Sequence, residues 1–345
     1  MNPYKISVIP GDGIGPEQIE AAISALWAIE KVFHIRFDFV EAEAGDDCQK
    51  KCGNPLPDDT LQTLSTSHAC LKGPVGETAY HVIVRLRQIL DLYANLRPCR
   101  AYPRVKCLDA ETDLVIVREN TEDLYKGLEF EIADSTVALR VTTTRACQRI
   151  AAKAFRLAEL RNKKRLVTAV HKANVLKKTC GLFATICREE ARSHPSVLFE
   201  EMYVDAAAMN LVRQPAHFDV LVMTNMFGDI LSDEASQVVG SLGLAPSGNI
   251  GDKFAIFEPV HGSAPDIAGK GIANPNSMLL SASMMLDWLG DKFGDTNCNT
   301  AARSLEAAVV QALADGTTTP DLGGKCRTAQ VTEAVVKRIQ MEVPQ

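Results

Sequence analysis

The sequence lacks the features of several large classes of protein. No apolar run approaches the roughly 20 residues that a helix needs to cross a bilayer, and there is no internal repeat or low-complexity segment. Positive charge is not in excess, because 37 Lys and Arg stand against 43 Asp and Glu, which gives a net charge of −6. A surface that binds nucleic acid needs clustered excess Lys and Arg. The composition therefore argues against membrane and nucleic-acid partners.

The ten cysteines are scattered and do not have the spacing of a metal site. Cys48 and Cys52 form the only close pair, and neither a second pair nor a nearby histidine completes a zinc site. The N-terminus enters a strand-like run and a glycine turn at once, unlike a secretory signal peptide. We therefore expect reduced thiols and a cytoplasmic location.

The length of 345 residues suggests two domains or one large α/β unit. Short runs rich in β-branched residues alternate with longer helical patterns, which predicts an α/β fold with much parallel sheet. A helix is predicted over about residues 17–32. Buried strands are predicted at residues 5–10, 114–117, 165–169 and 219–224.

Two segments depart from this alternation. Residues 130–144 alternate between apolar and polar side chains, which predicts an exposed antiparallel ribbon or arm. Residues 240–251 contain four glycines and a proline. This composition predicts a long loop that connects domains or contacts a ligand.

The motif GDGIGPE (residues 11–17) is a weak nucleotide-binding signal. It lacks the full G-x-G-x-x-G spacing with a downstream acidic residue. The alternative is a tight strand-to-helix turn with Pro16 at the helix start. The motif alone does not decide between the two.

Three arginines favour an acidic substrate. Arg87 and Arg97 lie in the helix-like stretch VIVRLRQILDLYANLRP, and Arg118 follows the predicted strand 114–117. A planar guanidinium matches the geometry of a carboxylate. One arginine is usually a solvated surface group, but three near strand ends and helix faces favour a di- or tricarboxylate.

The motif TNMFGDILSDEAS is the strongest local signal. It places Asp229 and Asp233 four residues apart, so that they share one face of a helix. Like charges there repel by roughly a few tenths of a kcal/mol. Capping of the helix N-terminus would explain Asp229, but not a second carboxylate one turn later. A hard cation removes the repulsion, which predicts a magnesium or manganese site.

Two further residues are candidates for proton transfer. Lys172 follows the predicted strand 165–169, at the edge of the sheet where α/β active sites lie. A lysine beside a metal can act as a general base, whereas a lysine considered alone belongs on the surface. Tyr125, in VRENTEDLYKG, is either a packing residue or a proton donor.

The segment FEPVHGSAPDIAGKGIANP (residues 257–275) is too irregular for a plain helix or strand. Its glycines would let the backbone approach a ligand closely. Asp266 could accept hydrogen bonds from a ribose diol, and its charge would repel a 2′-phosphate. The segment therefore predicts a loop that contacts a ligand, and Asp266 would suit a ribose diol without a 2′-phosphate.

Together these motifs resemble the β-decarboxylating dehydrogenases, which act on isopropylmalate, isocitrate, homoisocitrate or tartrate. The resemblance runs from GDGIGPE to TTTPDLGG and includes LDLYANLRP, VRENTEDLY, HKANVLK, GDILSDEAS and EPVHGSAPDIAGKGIANP. It implies an isopropylmalate dehydrogenase-like fold of two α/β domains with a cleft, not a Rossmann fold. The implied large domain comprises residues 1–97 and 241–345. The small domain, with the arm and the dimer contact, comprises residues 98–240.

The resemblance also implies a role for each motif. A 3-substituted malate, a small hydroxy acid, would be oxidised by NAD and decarboxylated with Mg²⁺ or Mn²⁺ as Lewis acid. Lys172 would take the hydroxyl proton, and Tyr125 would help to protonate the enolate. Lys172 and Asp205 would reach the site from the partner subunit of a homodimer. The substrate carboxylates would bind Arg87, Arg97 and Arg118, the metal would bind Asp205, Asp229 and Asp233, and the cofactor would contact Ile14, Asn174, Glu258, His261, Gly262, Ser263, Ala264, Asp266 and Asn274.

The group on carbon 3 of the substrate distinguishes the members of this family. On a helix, Tyr80, Ile83 and Val84 would share a face with Arg87. Apolar Ile83 and Val84 suit an isopropyl group, as in archaeal-type isopropylmalate dehydrogenases, unless they face the core. The predicted reaction therefore converts 3-isopropylmalate to 4-methyl-2-oxopentanoate and CO2, a step of leucine biosynthesis. Tyr80 and His81 differ from the small and acidic residues expected there, which keeps isocitrate or homoisocitrate as the alternative.

A non-catalytic regulatory subunit of a heteromeric isocitrate dehydrogenase is an alternative of a different class. Such a subunit would be expected to lose part of the catalytic set. Here Lys172, Tyr125 and the three aspartates are all present. The sequence therefore favours the enzyme.

Overall fold

The computed structural model describes residues 3–341, in which strands and helices alternate along most of the chain. The strands are β1 (Tyr4–Ile9), β2 (Phe37–Glu41), β3 (Ala69–Lys72), β4 (Ala94–Arg100), β5 (Asp113–Glu119), β6 (Glu129–Ile132), β7 (Ser135–Ala138), β8 (Leu166–His171), β9 (Leu198–Tyr203), β10 (Val220–Met223), β11 (Pro246–Ile250) and β12 (Ala255–Pro259). The α-helices are α1 (Gly15–Phe33), α2 (Asp46–Cys52), α3 (Asp58–Ser65), α4 (Arg85–Ile89), α5 (Thr144–Arg161), α6 (Thr179–Ser193), α7 (Val204–Arg213), α8 (Asn225–Val238), α9 (Asn276–Phe293), α10 (Thr296–Ala314) and α11 (Thr328–Met341). A π-helical turn (Tyr80–Val84) leads into α4, and 3₁₀ turns lie at Leu124–Lys126, Pro215–His217, Leu242–Leu244 and Pro320–Leu322.

Ten strands form one mixed sheet, in the order β2-β1-β3-β12-β11-β4-β5-β10-β8-β9. The first four strands in this order are parallel to one another, and so are the last four. Between these blocks, β11 and β4 run antiparallel to their neighbours. The predicted α/β fold with much parallel sheet is confirmed, and the two parallel blocks meet at β11 and β4.

The register of the central strands places polar side chains on one face of the sheet. Asn95 on β4 lies opposite Arg118 on β5 and Asn249 on β11. Paired residues project from the same face, and so do residues two apart along a strand. Arg97 therefore shares this face. Helix α8 packs on β4 and β5, and a Cβ at its Gly228 would stand 2.5 Å from Cγ of Arg118, so a glycine is needed for this approach.

The strands and the helix with the clearest periodicity in the sequence lie where they were predicted. The predicted buried strands correspond to β1, β5, β8 and β10, and the predicted N-terminal helix corresponds to α1. The predicted ribbon is the exposed hairpin β6–β7. Apolar side chains between the sheet and its helices form the core, and their burial is the main stabilising contribution.

The loop predicted for residues 240–251 is wrong, because Pro246–Ile250 forms the buried strand β11. Its glycine has a packing role, since a Cβ at Gly248 would stand 3.0 Å from the ring of Phe257 on the neighbouring strand. The helix-like stretch around Arg87 is also shorter than expected. It ends at Ile89, and Arg97 lies on β4.

The spacing used to place Tyr80, Ile83 and Val84 beside Arg87 also needs correction. These residues lie in the π-helical turn, which has more residues per turn than an α-helix, so a period of 3.6 does not hold through it. π-Helical turns inside helices are frequent at functional sites. The three side chains are still close to Arg87 in the chain, but their angular positions around the helix axis differ from those of an α-helix.

The predicted domain boundary between residues 97 and 98 falls inside β4, so the sheet is continuous across it. The division into a large and a small domain stays a prediction. No helix within residues 3–341 combines the length and the apolar character that a membrane crossing requires.

Candidate active site

The three arginines predicted to bind substrate are buried near one another at the centre of the sheet. Arg87, Arg97 and Arg118 are 5%, 6% and 1% exposed. Arg87 Nε donates to Asn249 Oδ1 at 3.0 Å, and Arg97 Nε donates to Asn95 Oδ1 at 2.6 Å. Asn95 Nδ2 in turn donates to Asn249 Oδ1 at 3.1 Å. Two asparagines on the central strands thus link and orient the guanidinium groups of Arg87 and Arg97.

This concentration of buried positive charge is costly without an anion. Burial, followed by the charges of Arg97 and Arg87, lowers the pKa of Arg118 to about 9. Burial is also the main cause of the lowered pKa of Arg87. Strongly perturbed pKa values in a cluster of like charges are typical of binding sites. Carboxylates of the chain, Glu258 and Asp229, already pair with these arginines, and the guanidinium groups are also suited to a carboxylate ligand.

Asp229 and Asp233 project from α8 toward the same arginines. Arg97 Nη2 lies 3.2 Å from Asp229 Oδ1, and Arg97 Nη1 lies 3.3 Å from Asp233 Oδ1. Arg118 also pairs with Asp229. The predicted helical placement of the two carboxylates on one face is therefore confirmed.

The pKa values of the two carboxylates shift in opposite directions. Burial raises the pKa of Asp229, but Arg118 and Arg97 outweigh it and hold that pKa below its usual value. Burial also raises the pKa of Asp233, and there Arg97 compensates only in part. The ionised Asp233 would gain from a further cation. Two carboxylates, one of which is only partly compensated by positive charge, fit a hard divalent ion such as Mg²⁺ or Mn²⁺.

Lys172 and Asp205 lie apart from this cluster. Lys172 Nζ contacts Asp205 Oδ1 at 2.6 Å, between the end of β8 and the first turn of α7. Within residues 3–341 of one chain, no group of three or more His, Cys, Asp and Glu side chains is arranged to hold a metal. One chain therefore brings Asp229 and Asp233 together but not Asp205. The placement of Lys172 and Asp205 in the site of a partner stays a prediction.

Tyr125 belongs to the cluster. It lies in the 3₁₀ turn Leu124–Lys126, its hydroxyl donates to Asp229 Oδ2, and the guanidinium of Arg118 lies 5.1 Å from its ring centre. Gln88 Nε2 fixes this turn by donating to the carbonyl of Tyr125 at 3.0 Å. Burial, and then the hydrogen bond to Asp229, raise the pKa of Tyr125. The phenol thus stays protonated at neutral pH and can act as a proton donor.

The π-helical turn beside Arg87 borders the same region. A Cβ at Gly127 would stand 2.1 Å from the Tyr80 hydroxyl, so Tyr80 lies against the turn that carries Tyr125. Val82 and Leu86 pack in an apolar core cluster. Among the described residues, Ile83 and Val84 are not members of any of the core clusters, although Val84 is 6% exposed. Contact of Ile83 and Val84 with a ligand stays a prediction, with packing in the core as its alternative.

A cleft of about 540 Å³ lies beside the glycine turn. This is within the range of about 300–1,000 Å³ that is usual for ligand pockets. Its lining includes five residues predicted to contact the cofactor and eight others: Ile14, His261, Gly262, Ala264 and Asn274, with Gln18, Ser241, Gly243, Ile267, Ile272, Ala273, Pro320 and Asp321.

The glycine turn forms part of the cleft because it packs on the loop after β12. Ile14 N donates to the carbonyl of Ser263 at 2.9 Å. Gly13 has a φ of +58°, and a Cβ there would stand 2.0 Å from the same carbonyl oxygen. The motif is thus a tight strand-to-helix turn and also positions Ile14 in the cleft wall.

The remaining predicted cofactor residues lie outside this lining. Asp266 and Asn174 are exposed. Glu258 is buried in the arginine cluster, where its carboxylate lies 2.6 Å from Lys72 Nζ and 3.6 Å from Arg87 Nη2. Burial raises the pKa of Glu258, but Lys72 and Arg87 outweigh it and lower that pKa. The contacts of these residues with a cofactor stay predictions.

Several residues of the site were not predicted: Lys72, Asn95, Asn249, Gln18 and Asp321. Lys72 ends β3, and a polar residue at the end of a buried strand was a usable signal. Gln18 lies four residues after Ile14, hence on the same face of α1. The two asparagines gave no such signal, because only the order of the strands brings them together.

Known proteins that resemble this chain share its length and architecture. A family model described as isocitrate/isopropylmalate dehydrogenase matches residues 5–335. The 3-isopropylmalate dehydrogenase of Saccharolobus solfataricus is 50% identical over 336 residues, which cover 97% of this chain and 99% of the relative. The isocitrate/homoisocitrate dehydrogenase of Thermus thermophilus is 48% identical over 343 residues, which cover 98% and 99%. A crystal structure of isocitrate dehydrogenase from Methylococcus capsulatus has a TM-score of 0.91 and 43% identity, and covers 98% of this chain and 99% of that one.

Proposed function

The chain belongs to the isocitrate/isopropylmalate dehydrogenase family, and on this premise we propose that it is an NAD-dependent enzyme that converts 3-isopropylmalate to 4-methyl-2-oxopentanoate and CO2. The family match confirms the resemblance inferred from the motifs, and relatives that are about half identical support a decarboxylating dehydrogenase. The reaction would serve leucine biosynthesis, in the cytoplasm.

One observation carries the proposal: the buried arginine cluster lies beside Asp229, Asp233 and the Tyr125 hydroxyl. A 3-substituted malate presents two carboxylates and a hydroxyl group. Arginine forks match the carboxylates, and their buried positive charge favours a multiply charged anion. The adjacent phenol supplies a proton donor. The regulatory-subunit alternative gives no reason for this arrangement.

In the proposed mechanism, Arg87, Arg97 and Arg118 hold the malate carboxylates and exclude water from the reacting carbons. NAD held in the cleft lined by Ile14 and His261 would supply the hydride acceptor, and a divalent cation held by Asp229 and Asp233 would supply a Lewis acid for the substrate oxygens. Lys172 takes the hydroxyl proton as the ketone forms. The carbon–carbon bond to the 3-carboxylate then breaks and releases CO2. Tyr125 donates its proton toward the resulting carbanion equivalent, and its raised pKa keeps that proton available.

We propose that Asp229 and Asp233 hold the metal together with Asp205 of the partner subunit. Exposed apolar side chains that a second subunit would cover support a homodimer. They lie on the arm, α7 and α8: Phe130, Ile132, Met209, Val212 and Ile230. In the dimer, Lys172 and Asp205 of each subunit would complete the site of the other.

The choice of isopropylmalate rests on Ile83 and Val84. These apolar side chains immediately precede the turn of helix that carries Arg87, and Ile83 is only partly buried. The additional carboxylate of isocitrate or homoisocitrate would find no hydrogen-bond donor in these two side chains. A second candidate is isocitrate or homoisocitrate, because Tyr80 is 48% exposed and stacks edge-on against His81 at 5.5 Å, so polar groups are close by.

A comparison of kcat/KM for 3-isopropylmalate, isocitrate, homoisocitrate, malate and tartrate, with NAD and Mg²⁺ or Mn²⁺, tests the substrate directly. We expect the highest value for 3-isopropylmalate and no turnover of any substrate by Lys172→Met. A higher value for isocitrate or homoisocitrate would establish the second candidate. Activity with none of the five would contradict the enzyme assignment.

A further inference from the structure

Gln18 is a buried side chain in the wall of the cleft. The proposed reaction gives this side chain no role. It lies on α1, is fully buried, and is in line with Ile14. Its Nε2 contacts His261 Nε2 at 3.1 Å and the carbonyl oxygen of Asn274 at 3.0 Å. One amide group therefore joins two residues that also line the cleft.

The partners of Gln18 determine the orientation of its amide and the location of the His261 proton. The carbonyl of Asn274 can only accept a hydrogen bond, so the amide nitrogen of Gln18 must face it. The second N–H of that nitrogen then points at His261 Nε2, which must be unprotonated. His261 Nδ1 lies 2.9 Å from the carbonyl oxygen of Gly262, again a pure acceptor, so it carries the proton. Two backbone carbonyls thus require the same tautomer.

The surroundings of His261 favour a neutral ring. Burial lowers the pKa of His261, while the Gly262 carbonyl raises it. The charged groups that face the ring are Asp321, which raises the pKa, and Lys72, which lowers it. Asp321 is also engaged by Asn274, whose Nδ2 donates to its carboxylate at 3.0 Å. The carboxylate of Asp321 accepts its other hydrogen bonds from Ser241 and Thr319.

We propose that Gln18 is a positioning residue that fixes His261 as the neutral, Nδ1-protonated tautomer and ties it to Asn274. The cleft wall then keeps the same charge when the pH changes or when an anionic dinucleotide binds. This inference rests on the proposed function only in taking the cleft as the NAD site. The state of His261 itself is a property of the chain without cofactor.

The first test measures the His261 ring in the full-length, ¹⁵N-labelled protein without cofactor, by long-range ¹H–¹⁵N correlation. We expect an Nδ1-protonated, neutral ring at about pH 6, where an unperturbed histidine is largely charged. In Gln18→Glu, a carboxylate replaces the amide donor, so Nε2 should become protonated at about pH 7. Gln18→Met removes the donor without adding charge, so Nε2 should show the signal of a ring nitrogen without a hydrogen bond, while the Gly262 carbonyl keeps the proton on Nδ1. Gln62→Glu, on the exposed face of α3, adds the same charge elsewhere and should leave the ring unchanged.

The second test is the Kd for NAD, measured by fluorescence titration between about pH 6 and 8. The Kd of the wild type should not follow a histidine titration. In Gln18→Glu, His261 loses its proton as the pH rises and leaves an unpaired carboxylate near the anionic cofactor, so NAD binding should weaken by up to about tenfold.

An Nε2-protonated or charged ring in the wild type at pH 6 would overturn the inference. So would an unchanged ring in both Gln18→Glu and Gln18→Met. If the ring behaves as expected but NAD does not bind, the proposed function fails while the role of Gln18 in fixing His261 stands.

Discussion

Replacing Asp229 by Asn should destabilise the protein far more than the same change at Asp233, although the two residues lie one turn apart on α8. The carboxylate of Asp229 pairs with Arg118 and Arg97 and accepts the Tyr125 hydroxyl. The carboxylate of Asp233 pairs with Arg97, and its side chain is 57% exposed, against 34% for Asp229. The surroundings lower the pKa of Asp229 and raise that of Asp233, so the two positions form a matched pair for comparison.

The magnitude follows from what each change leaves behind. Asp229→Asn keeps a hydrogen-bond acceptor but leaves Arg118, 1% exposed, without its counter-charge. Breaking a fully buried pair costs about 3–5 kcal/mol, and a third of the Asp229 side chain is solvated, so we expect about 1–3 kcal/mol. Asp233→Asn removes a carboxylate whose ionised form burial already disfavours, so we expect a change within about 0.5 kcal/mol. Both variants should fold, because domains are stable by about 5–15 kcal/mol.

Urea unfolding of the wild type and both variants at pH 7, without divalent metal, measures these differences. Folding lowers the pKa of Asp229, so its contribution is present above the ordinary aspartate pKa of about 3.9 and is lost as the pH falls through the folded value. The deficit of Asp229→Asn should therefore shrink in acid. Added Mn²⁺ at about 100 times its Kd should stabilise the wild type by about 2.7 kcal/mol and both variants much less. Equal destabilisation by the two changes, or a deficit that does not depend on pH, would refute this reasoning.

Three further predictions concern cofactor, catalysis and substrate. NAD should give a higher kcat/KM than NADP, because the exposed Asp266 carboxylate would repel a 2′-phosphate, and a preference for NADP would contradict this. Lys172→Met should abolish oxidation of the hydroxy acid but retain some decarboxylation of a supplied oxo acid, whereas Tyr125→Phe should impair the later proton transfer more. Equal effects of both variants on both half-reactions would show that the two roles are not separate. Val84→Arg should lower kcat/KM for 3-isopropylmalate by about 10–100-fold, because an apolar contact of about 1–3 kcal/mol is replaced by a cation without a partner. Its preference should shift toward a substrate with an additional carboxylate, and an unchanged preference would show that Val84 does not face the substrate.

Local patterns in the sequence were sufficient to predict those features that lie within a single strand or helix. The strands β1, β5, β8 and β10 and the helix α1 have unbroken periodicity, and each formed as predicted. The spacing of Asp229 and Asp233 likewise placed both carboxylates on one helix face, where they meet Arg97. In each case, contacts within a few residues determine the outcome.

Other features depend on neighbours that the sequence does not specify. The glycine-rich stretch around β11 suggested a loop, but the ring of Phe257 on the adjacent strand fills the space beside Gly248. Asn95 and Asn249 orient Arg87 and Arg97 because β4 and β11 are adjacent in the sheet, although the two asparagines are 154 positions apart in the chain. The π-helical turn at Tyr80–Val84 breaks the period used to place the substrate-contacting residues.

The most direct test of oxidative decarboxylation at this site is to incubate the purified protein with 3-isopropylmalate, NAD and Mg²⁺ or Mn²⁺ and to measure NADH and CO2 in the same reaction. We expect equal amounts of the two, with 4-methyl-2-oxopentanoate as the organic product. NADH without CO2 would show that the chain oxidises its substrate but does not decarboxylate it, and formation of neither product would contradict the proposed function.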